Sequence, residues 1–394
     1  MSQSQQMSPQ QLQAANAGIR QLVLANSQDM LQSIGSGTIT PAQQSTVNLP
    51  LRQVGLAKGF IVEITASFQN TGSGTATLTP FGPANVISNF SFFDLDNYLR
   101  INTTGLHVNA LNSAKEGWPF GAALTSTATD TPMGFGNNTS IISATASMGA
   151  GNVTPTTGTI KMFYWVPLAY GKDDLRGAVF MGVVNATAYI QFTANLTPGV
   201  TTGDNTFAVY SGANTAVTMT SLTFNVYQSY LDQLPRYQTG PQKGAPILPP
   251  LDNITQYRLA STSLGSISSG QDFPVPFSNF QEFISLGILY DQNGARNPGT
   301  DINYFALAAA NTLQFFKNDP YVQLLKQRVR IKTDFPSGFY MFDFRDQPIS
   351  TNQSGNMQLL LNAITAASGS QVLAYFESFA LVNTILGAQS LPAS

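Results

Sequence analysis

Lys326, Arg328, Arg330 and Lys332 stand at alternate positions in a chain of 394 residues. Residues two apart share a face of an extended strand, so the spacing predicts a basic strand over Gln327–Lys332. Gln327, Val329 and Ile331 then lie on its other side. Such a face is either a solvated or intersubunit surface, or a contact for anionic lipid headgroups. Other ionisable candidates are sparser. His107 is the only histidine, so neither a histidine pair for zinc nor repeated His-based acid–base chemistry is available. Asp94-Leu95-Asp96 begins like a calcium loop. Tyr98 occupies the place of its third oxygen ligand, however, and the required glycine and distal Glu are missing, so it reads as a turn. Asp173-Asp174, after a Gly-Lys pair, reads as a solvated turn. Glu63, Glu116, Glu282 and Glu377 are scattered, and nothing points to paired acids for glycoside hydrolysis. Tyr164 and Trp165 read as core packing rather than a sugar platform. No Walker loop, dinucleotide glycine fingerprint or Gly-x-Ser-x-Gly elbow is present. The expectation is a non-enzyme with no cofactor and no metal.

Charged residues are 10% of the chain while hydrophobic residues are 43%. That charge fraction is well below the usual ~25%, and the hydrophobic content excludes disorder as its cause. A polar surface of Ser, Thr, Asn and Gln suits subunits packed against neighbours, because interface cores are depleted in charge. A net charge of −2 creates no field for nucleic acid, and no direct nucleic-acid contact is expected. There is no Cys, and therefore no disulfide or thiolate metal site. No apolar run reaches membrane-spanning length and no signal-like N-terminus is seen, so the chain reads as soluble.

The elements that position these residues are mostly strands. Phe60, Val62, Ile64, Ala66 and Phe68 alternate with Ile61, Glu63, Thr65 and Ser67, the signature of a strand with one buried face. Further strands are expected at Val86–Phe93, Ile160–Val166, Ala186–Leu196, Val217–Tyr227, Phe283–Tyr290, Phe339–Phe344, Met357–Leu361 and Val372–Phe379. Helices are expected at Pro9–Ile34, capped by Ser8 with Pro9 at its first position, and at Ile302–Phe316, where Phe305, Ala308, Ala309 and Leu313 share a face. The long connection Asn102–Thr159 implies excursions that form towers or subunit contacts. Arg236–Leu251, rich in proline, reads as the link between two units. The expected organisation is an N-terminal helical arm at 1–38, a first β unit with long loops at 39–240, a linker at 241–251, a second β unit at 252–384 and a tail at 385–394. The expected fold class is all-β, a sandwich or jelly roll, doubled in the sense that each half carries its own strand set.

Several segments in fixed order resemble the major capsid proteins of the tectiviruses, phages whose protein shell encloses a lipid membrane. They are Val226-Tyr227-Gln228-Ser229-Tyr230-Leu231-Asp232-Gln233-Leu234-Pro235 and, upstream, Lys161-Met162-Phe163-Tyr164-Trp165-Val166-Pro167-Leu168-Ala169-Tyr170. Phe81-Gly82-Pro83-Ala84-Asn85, Gly299-Thr300-Asp301-Ile302-Asn303-Tyr304, Thr333-Asp334-Phe335-Pro336 and Arg345-Asp346 before Pro348-Ile349 complete the set. The resemblance runs from about Lys58 to Ala374. It implies two tandem eight-stranded jelly rolls with a few short helices, a homotrimer of pseudo-hexagonal outline, and tiling of an icosahedral shell over an internal membrane. The partners it implies are neighbouring trimers, vertex and minor capsid proteins, and the membrane by peripheral contact. The virion capsid, made in the bacterial host cytoplasm, is the implied location. Arms of this family lie beneath the capsomer, so the stripe of Leu12, Ile19, Leu22, Val23 and Met30 is expected to face the membrane or the assembly. The rival readings are a bacterial surface or carbohydrate-binding jelly roll, an outer-membrane barrel, and a vertex protein.

Overall fold

The computed structural model describes residues 9–116, 140–171, 174–182, 187–201, 207–249, 256–291, 301–309, 313–332, 335–351, 356–364 and 370–380. The expected tail at 385–394, Asp173 and the side chain of Leu12 lie outside the described residues.

Two sets of eight strands make up the frame. The first set is β1 (Gln28–Ile39), β2 (Thr46–Pro50), β3 (Leu56–Asn70), β4 (Ile87–Phe93), β5 (Leu99–Thr103), β6 (Thr156–Pro167), β7 (Tyr189–Ala194) and β8 (Val217–Asp232). The second is β9 (Gln256–Gly265), β10 (Asp272–Pro276), β11 (Gln281–Asp291), β12 (Ile302–Ala309), β13 (Leu313–Asn318), β14 (Phe339–Asp343), β15 (Met357–Ala363) and β16 (Gln371–Ala380). The first barrel packs sheet β1-β8-β3-β6 against β2-β7-β4-β5, and the second packs β9-β16-β11-β14 against β10-β15-β12-β13. Each strand thus has a counterpart whose label is eight higher, in the same sheet position. This is a doubled jelly roll.

The pattern that forms β3 is the alternation read from its residues. Phe60, Val62, Ile64, Ala66 and Phe68 are fully buried, while Ile61, Glu63, Thr65 and Ser67 on the other face stay half-exposed. Long antiparallel partners on both sides fix its register, with Ile61 opposite Trp165 on β6 and Tyr227 on β8. Tyr164 is buried and its hydroxyl donates to the Ala84 carbonyl at 3.0 Å, so it is core, as its apolar strand suggests.

Three expected elements differ. The N-terminal helix α1 spans Pro9–Asn26, not Pro9–Ile34; the chain then runs as β1, paired with β8 from Gln28↔Asp232 to Ile39↔Leu222. Met30 therefore sits on a strand opposite Tyr230, and the arm stripe is split between two elements. Ile302–Phe316 is not a helix but the hairpin β12–β13. Strand β12 is central, with β15 on one side and β13 on the other. Phe305–Ala309 are all buried, so neither the two-residue nor the 3.6-residue period shows. The basic segment is not a strand: Pro320–Ile331 is a helix, α3.

Helix α2 (Gly105–Glu116) follows β5 as α3 follows β13. Thr104 accepts the His107 amide at 3.2 Å, and Asp319 accepts the Tyr321 amide at 2.8 Å, each capping a helix start. The equivalence extends to register. Phe90↔Thr103 and Phe92↔Ile101 in the first barrel match Phe305↔Asn318 and Leu307↔Phe316 in the second.

Candidate assembly surfaces

The two barrels meet through α2. Every residue from Gly105 to Ala114 is buried, and Leu111 belongs to the same apolar cluster as Phe339, Met341, Leu373 and Tyr375 on the outer face of sheet β9-β16-β11-β14. His107 accepts or donates at 2.7 Å to Thr103 Oγ1, and its ring lies 5.2 Å from that of Tyr375. Burial first, then Lys115, hold its pKa down at about 3 against the pull of Glu377, so the imidazole is neutral at ordinary pH.

Two turns beyond His107, Lys115 reaches across the joint. Its Nζ is 2.6 Å from Glu377 Oε1 on β16 and donates to Tyr257 Oη at 3.0 Å and to the Tyr170 carbonyl at 3.1 Å. It also lies over the Tyr170 and Tyr257 rings at 4.5 and 4.9 Å. Glu377 is 1% exposed and accepts from Tyr257 Oη at 2.6 Å and from Ser285 Oγ at 2.7 Å. Burial pushes this carboxyl up, but Lys115 and the two hydroxyl donors outweigh it and hold it below the usual range. The joint is therefore an ion pair with its hydrogen bonds satisfied, the condition under which a buried charge is tolerated. A short parallel pairing, Ile101↔Leu259 and Asn102↔Ala260, completes it and fuses β5 to β9 in one continuous sheet.

Helix α3 occupies the same place on the second barrel but faces outward. The middle of its inner face, between buried Pro320 and Ile331, is polar: Gln323 Nε2 donates to the Met341 carbonyl at 2.9 Å, and Gln327 Oε1 accepts the Met341 amide at 2.7 Å. Its outer side carries an apolar stripe, Tyr321, Val322, Leu325 and Val329 at 58, 45, 62 and 67% exposure, flanked by exposed Lys326, Arg328 and Arg330. This is the reverse of a solvated helix.

The four cations do not share a face, because residues two apart on a helix are about 200° apart. Lys326 donates to Asn318 Oδ1 at 3.1 Å, Arg330 pairs with Asp346 and donates to the Asp343 carbonyl at 3.1 Å, and Lys332 caps the helix in the left-handed region at φ 59°. Arg328 projects from another side of the same helix.

The outer face of sheet β1-β8-β3-β6 is the first barrel's counterpart to the face that receives α2. It presents half-exposed Ile61, Phe163, Trp165 and Tyr227, with Lys161 3.6 Å from Glu63. A cavity of about 720 Å³ opens at its foot between Trp165, Ile61 and Leu231. Below it Val23 of α1 is fully buried with Leu56, Leu175, Leu231 and Leu234, whereas Leu22 is 41% exposed and Ile19 half-buried. Lys58 pairs with Asp29 at 2.7 Å beside this cluster.

Smaller candidates resolve locally. Asp94 accepts the Asp96 and Tyr98 amides at 3.1 and 2.9 Å and the Arg100 guanidinium at 2.6 Å, the geometry of a closed turn. Asp174 pairs with Arg176 at 2.7 Å.

Sequence reasoning missed the Lys115–Glu377 joint, and no local signal marks it. It did have a signal for α3, in Asp319-Pro320, a cap residue followed by proline at the first helical position.

Comparison with known proteins places these surfaces in context. The family model for the P3 major capsid protein N-terminal region matches residues 1–234, and that for the P3 major capsid protein C-terminal region matches residues 254–393. The chain is 38% identical over 392 residues to the major capsid protein P3 of Enterobacteria phage PRD1, covering 96% of each chain. Among solved structures it is similar to the STIV MCP, with TM-score 0.61 and 12% identity, covering 90% of this chain and 97% of that one. A chain in the atomic structure of Sulfolobus Turreted Icosahedral Virus gives 0.60 and 12%, covering 92% and 94%. These likenesses extend the doubled jelly roll across 90% or more of the chain.

Proposed function

The chain belongs to the P3 major capsid protein family, and from that premise we propose that it assembles as a homotrimer in which α3 of each copy packs on the outer β1-β8-β3-β6 face of the next. Its place is the virion capsid, where it is a structural protein. The trimer presents six similar barrels, a pseudo-hexagonal tile for the facets of an icosahedral shell. Neighbouring trimers and the vertex and minor capsid proteins are its partners, and an internal membrane lies beneath by peripheral contact.

The observation that carries this reading is the inverted α3. Its apolar stripe of Val322, Leu325 and Val329 is exposed in the single chain, while the equivalent helix α2 is buried against the other barrel. Two copies of one fold offer two copies of one contact. The first is made within the chain, and the second has a helix and a receiving face but, among the described residues, no partner in one copy. Exposed apolar residues clustered on one helix mark a protein contact. The cations at Lys326, Arg328, Arg330 and Lys332 then rim the intersubunit contact and do not form a lipid-facing surface.

We also read α1 as an assembly element anchored at its C-terminal turn by Val23, with half-buried Ile19 one turn earlier on the same side, Leu22 turned towards solvent, and Leu12 further out along the helix. Because β1 begins at Gln28, a truncation that tests this must stop at Asn26. The two barrels are joined across 241–251, with 252–384 as the second unit and 385–394 as a tail.

Sedimentation of the purified chain is expected to give a species of three times 42.2 kDa. The double variant Leu325→Asp/Val329→Asp is expected to sediment as a folded monomer. A wild-type monomer at micromolar concentration overturns the capsomer, and a variant that remains trimeric overturns the role given to α3.

A further inference from the structure

Within one chain the last strand of one four-stranded sheet meets the first strand of another. Strand β5 ends sheet β2-β7-β4-β5 and β9 begins sheet β9-β16-β11-β14, and they pair in parallel through Ile101↔Leu259 and Asn102↔Ala260. The strand equivalent to β5 is β13, and the strand equivalent to β9 is β1. Both are sheet edges: among the described residues β13 bonds only to β12, and β1 only to β8. Each therefore leaves a row of backbone donors and acceptors open on its outer side, a template for another strand.

We propose that neighbouring copies are joined by strand addition, with β13 of one copy pairing in parallel with β1 of the next. This rests on the homotrimer reading and specifies the backbone contact that accompanies it. Four observations converge. The helix that follows β5 and the helix that follows β13 start at equivalent caps, Thr104 and Asp319, so β13 arrives at its edge in the same relation to α3 as β5 does to α2. The register carries over: Ile101 and Asn102, which make the rungs within the chain, correspond to Phe316 and Lys317. The outward positions are open, with Gln314, Phe315 and Lys317 exposed on β13, and Leu31, Ser33 and Ser36 exposed on β1. Finally, each copy offers one β13 edge and one β1 edge, so the contact is head-to-tail and closes as a ring in which neither edge stays open.

The occupant is a second copy because the contact already exists in this chain between the equivalent strands. Lys317, held over the Tyr304 ring at 3.6 Å, is the only charge on β13 and lies at the position of Asn102. A cation there limits pairing with arbitrary strands without blocking a matched partner.

The chain has no cysteine, so a disulfide can be placed without interference. Lys317→Cys is combined in turn with Leu31→Cys, Ser33→Cys and Ser36→Cys, oxidised mildly, and run under denaturing conditions without reductant. Adjacent strands hold Cα atoms within disulfide range only near the true register. One combination is expected to give a covalent trimer, and a Lys317→Cys/Val153→Cys control none. Hydrogen exchange read on peptides covering 28–39 and 313–318 is the second measurement. Amides there are expected to exchange at least tenfold more slowly in the wild-type trimer than in the Leu325→Asp/Val329→Asp monomer. Trimers that sediment normally, with no cross-link at any position and equal exchange in trimer and monomer, overturn the strand addition and leave the trimer standing. A wild-type chain that sediments as a monomer overturns the capsomer reading itself.

Discussion

Helices α2 and α3 hold the same place in two copies of one fold, start at equivalent caps and run the same length, yet their surfaces are opposites. Helix α2 is buried from Gly105 to Ala114 and ends in a cation, Lys115, committed to a carboxylate on the other barrel. Helix α3 turns Gln323 and Gln327 inward and Leu325 and Val329 outward. At the position of Lys115 it carries Arg330, which pairs with the exposed Asp346 close by and is itself nearly half exposed. The receiving strands differ in the same sense: β16 offers Glu377, while the middle of β8 offers Asn225 and Tyr227. A joint inside a chain forms once and can include a buried ion pair. A joint between chains must form after folding, and a stripe of aliphatic side chains costs less to expose beforehand than an uncompensated charge.

Removing the cation of the inner joint is the sharpest way to break this comparison. Lys115→Met leaves Glu377 buried without its partner and is expected to cost about 3–5 kcal/mol, read by chemical denaturation of the Leu325→Asp/Val329→Asp monomer so that assembly does not interfere. A loss below about 1 kcal/mol would make the two joints alike.

The inward amides of α3 come next. Gln327→Leu strands the Met341 amide, and roughly 1–3 kcal/mol of the same unfolding free energy is expected to go. An unchanged midpoint would mean that α3 is held by something other than its stitching to β14.

Acid separates the joints in a third way. His107 is the only histidine and its folded pKa of about 3 lies below its unfolded value of 6.5, so the unfolded chain binds the extra proton between these values. Stability is therefore full above pH 6.5 and falls as pH is lowered, by about 1.4 kcal/mol per unit in that window. His107→Gln is expected to flatten the slope between pH 6.5 and 5 in denaturation measured across pH. Glu377 adds a second loss at lower pH. Its carboxyl is depressed below 4.5, so its contribution is present above that value and disappears as pH falls through the folded pKa. A slope that survives in His107→Gln would mean that the acid response lies outside the inner joint.

The smallest effect belongs to the outer rim. Arg330 and Asp346 are 44 and 75% exposed, and Arg330→Met is expected to change monomer stability by less than about 1 kcal/mol. A larger loss would show that α3 depends on its charge as α2 does.

How much of this was legible depends on how many faces an element buries. Strands with one buried face were clear: the alternation of Phe60 to Phe68 and the run that became β8 named themselves. Strand β12 buries both faces, and its Phe-Ala-Leu-Ala-Ala run fits a helix as well as a strand until its neighbours are known. Helix α3 failed for the opposite reason. Tyr321, Val322, Leu325 and Val329 point outward and Gln323 and Gln327 inward, so the pattern that should have been diagnostic was largely inverted, and the alternate spacing of Lys326 to Lys332 supplied a false period. In α1 the apolar residues continue past Asn26 at helical spacing, while the pairing that makes Met30 a strand residue comes from β8, far along the chain. The candidate site was least legible of all. Lys115 and Glu377 lie on different barrels, and only the fold brings them within 2.6 Å.

The pairing of β1 with β8 also has a consequence in time. Gln28 meets Asp232, so the first strand of the first barrel has no partner until nearly all of that barrel has left the ribosome. At ~5–20 residues per second that wait is on the order of 10–40 s, during which β1 trails as an open ribbon. The second barrel repeats the arrangement in part: β9 meets its antiparallel partner only when β16 is made, although β5 of the first barrel already stands beside it. The first barrel can close before β9 is made, which leaves α2 exposed on a finished barrel until the second one folds against it. For that interval the nascent chain shows on α2 the same kind of uncovered helix that the finished chain shows on α3, and the folding of the second half of the molecule is, in effect, a rehearsal of its assembly.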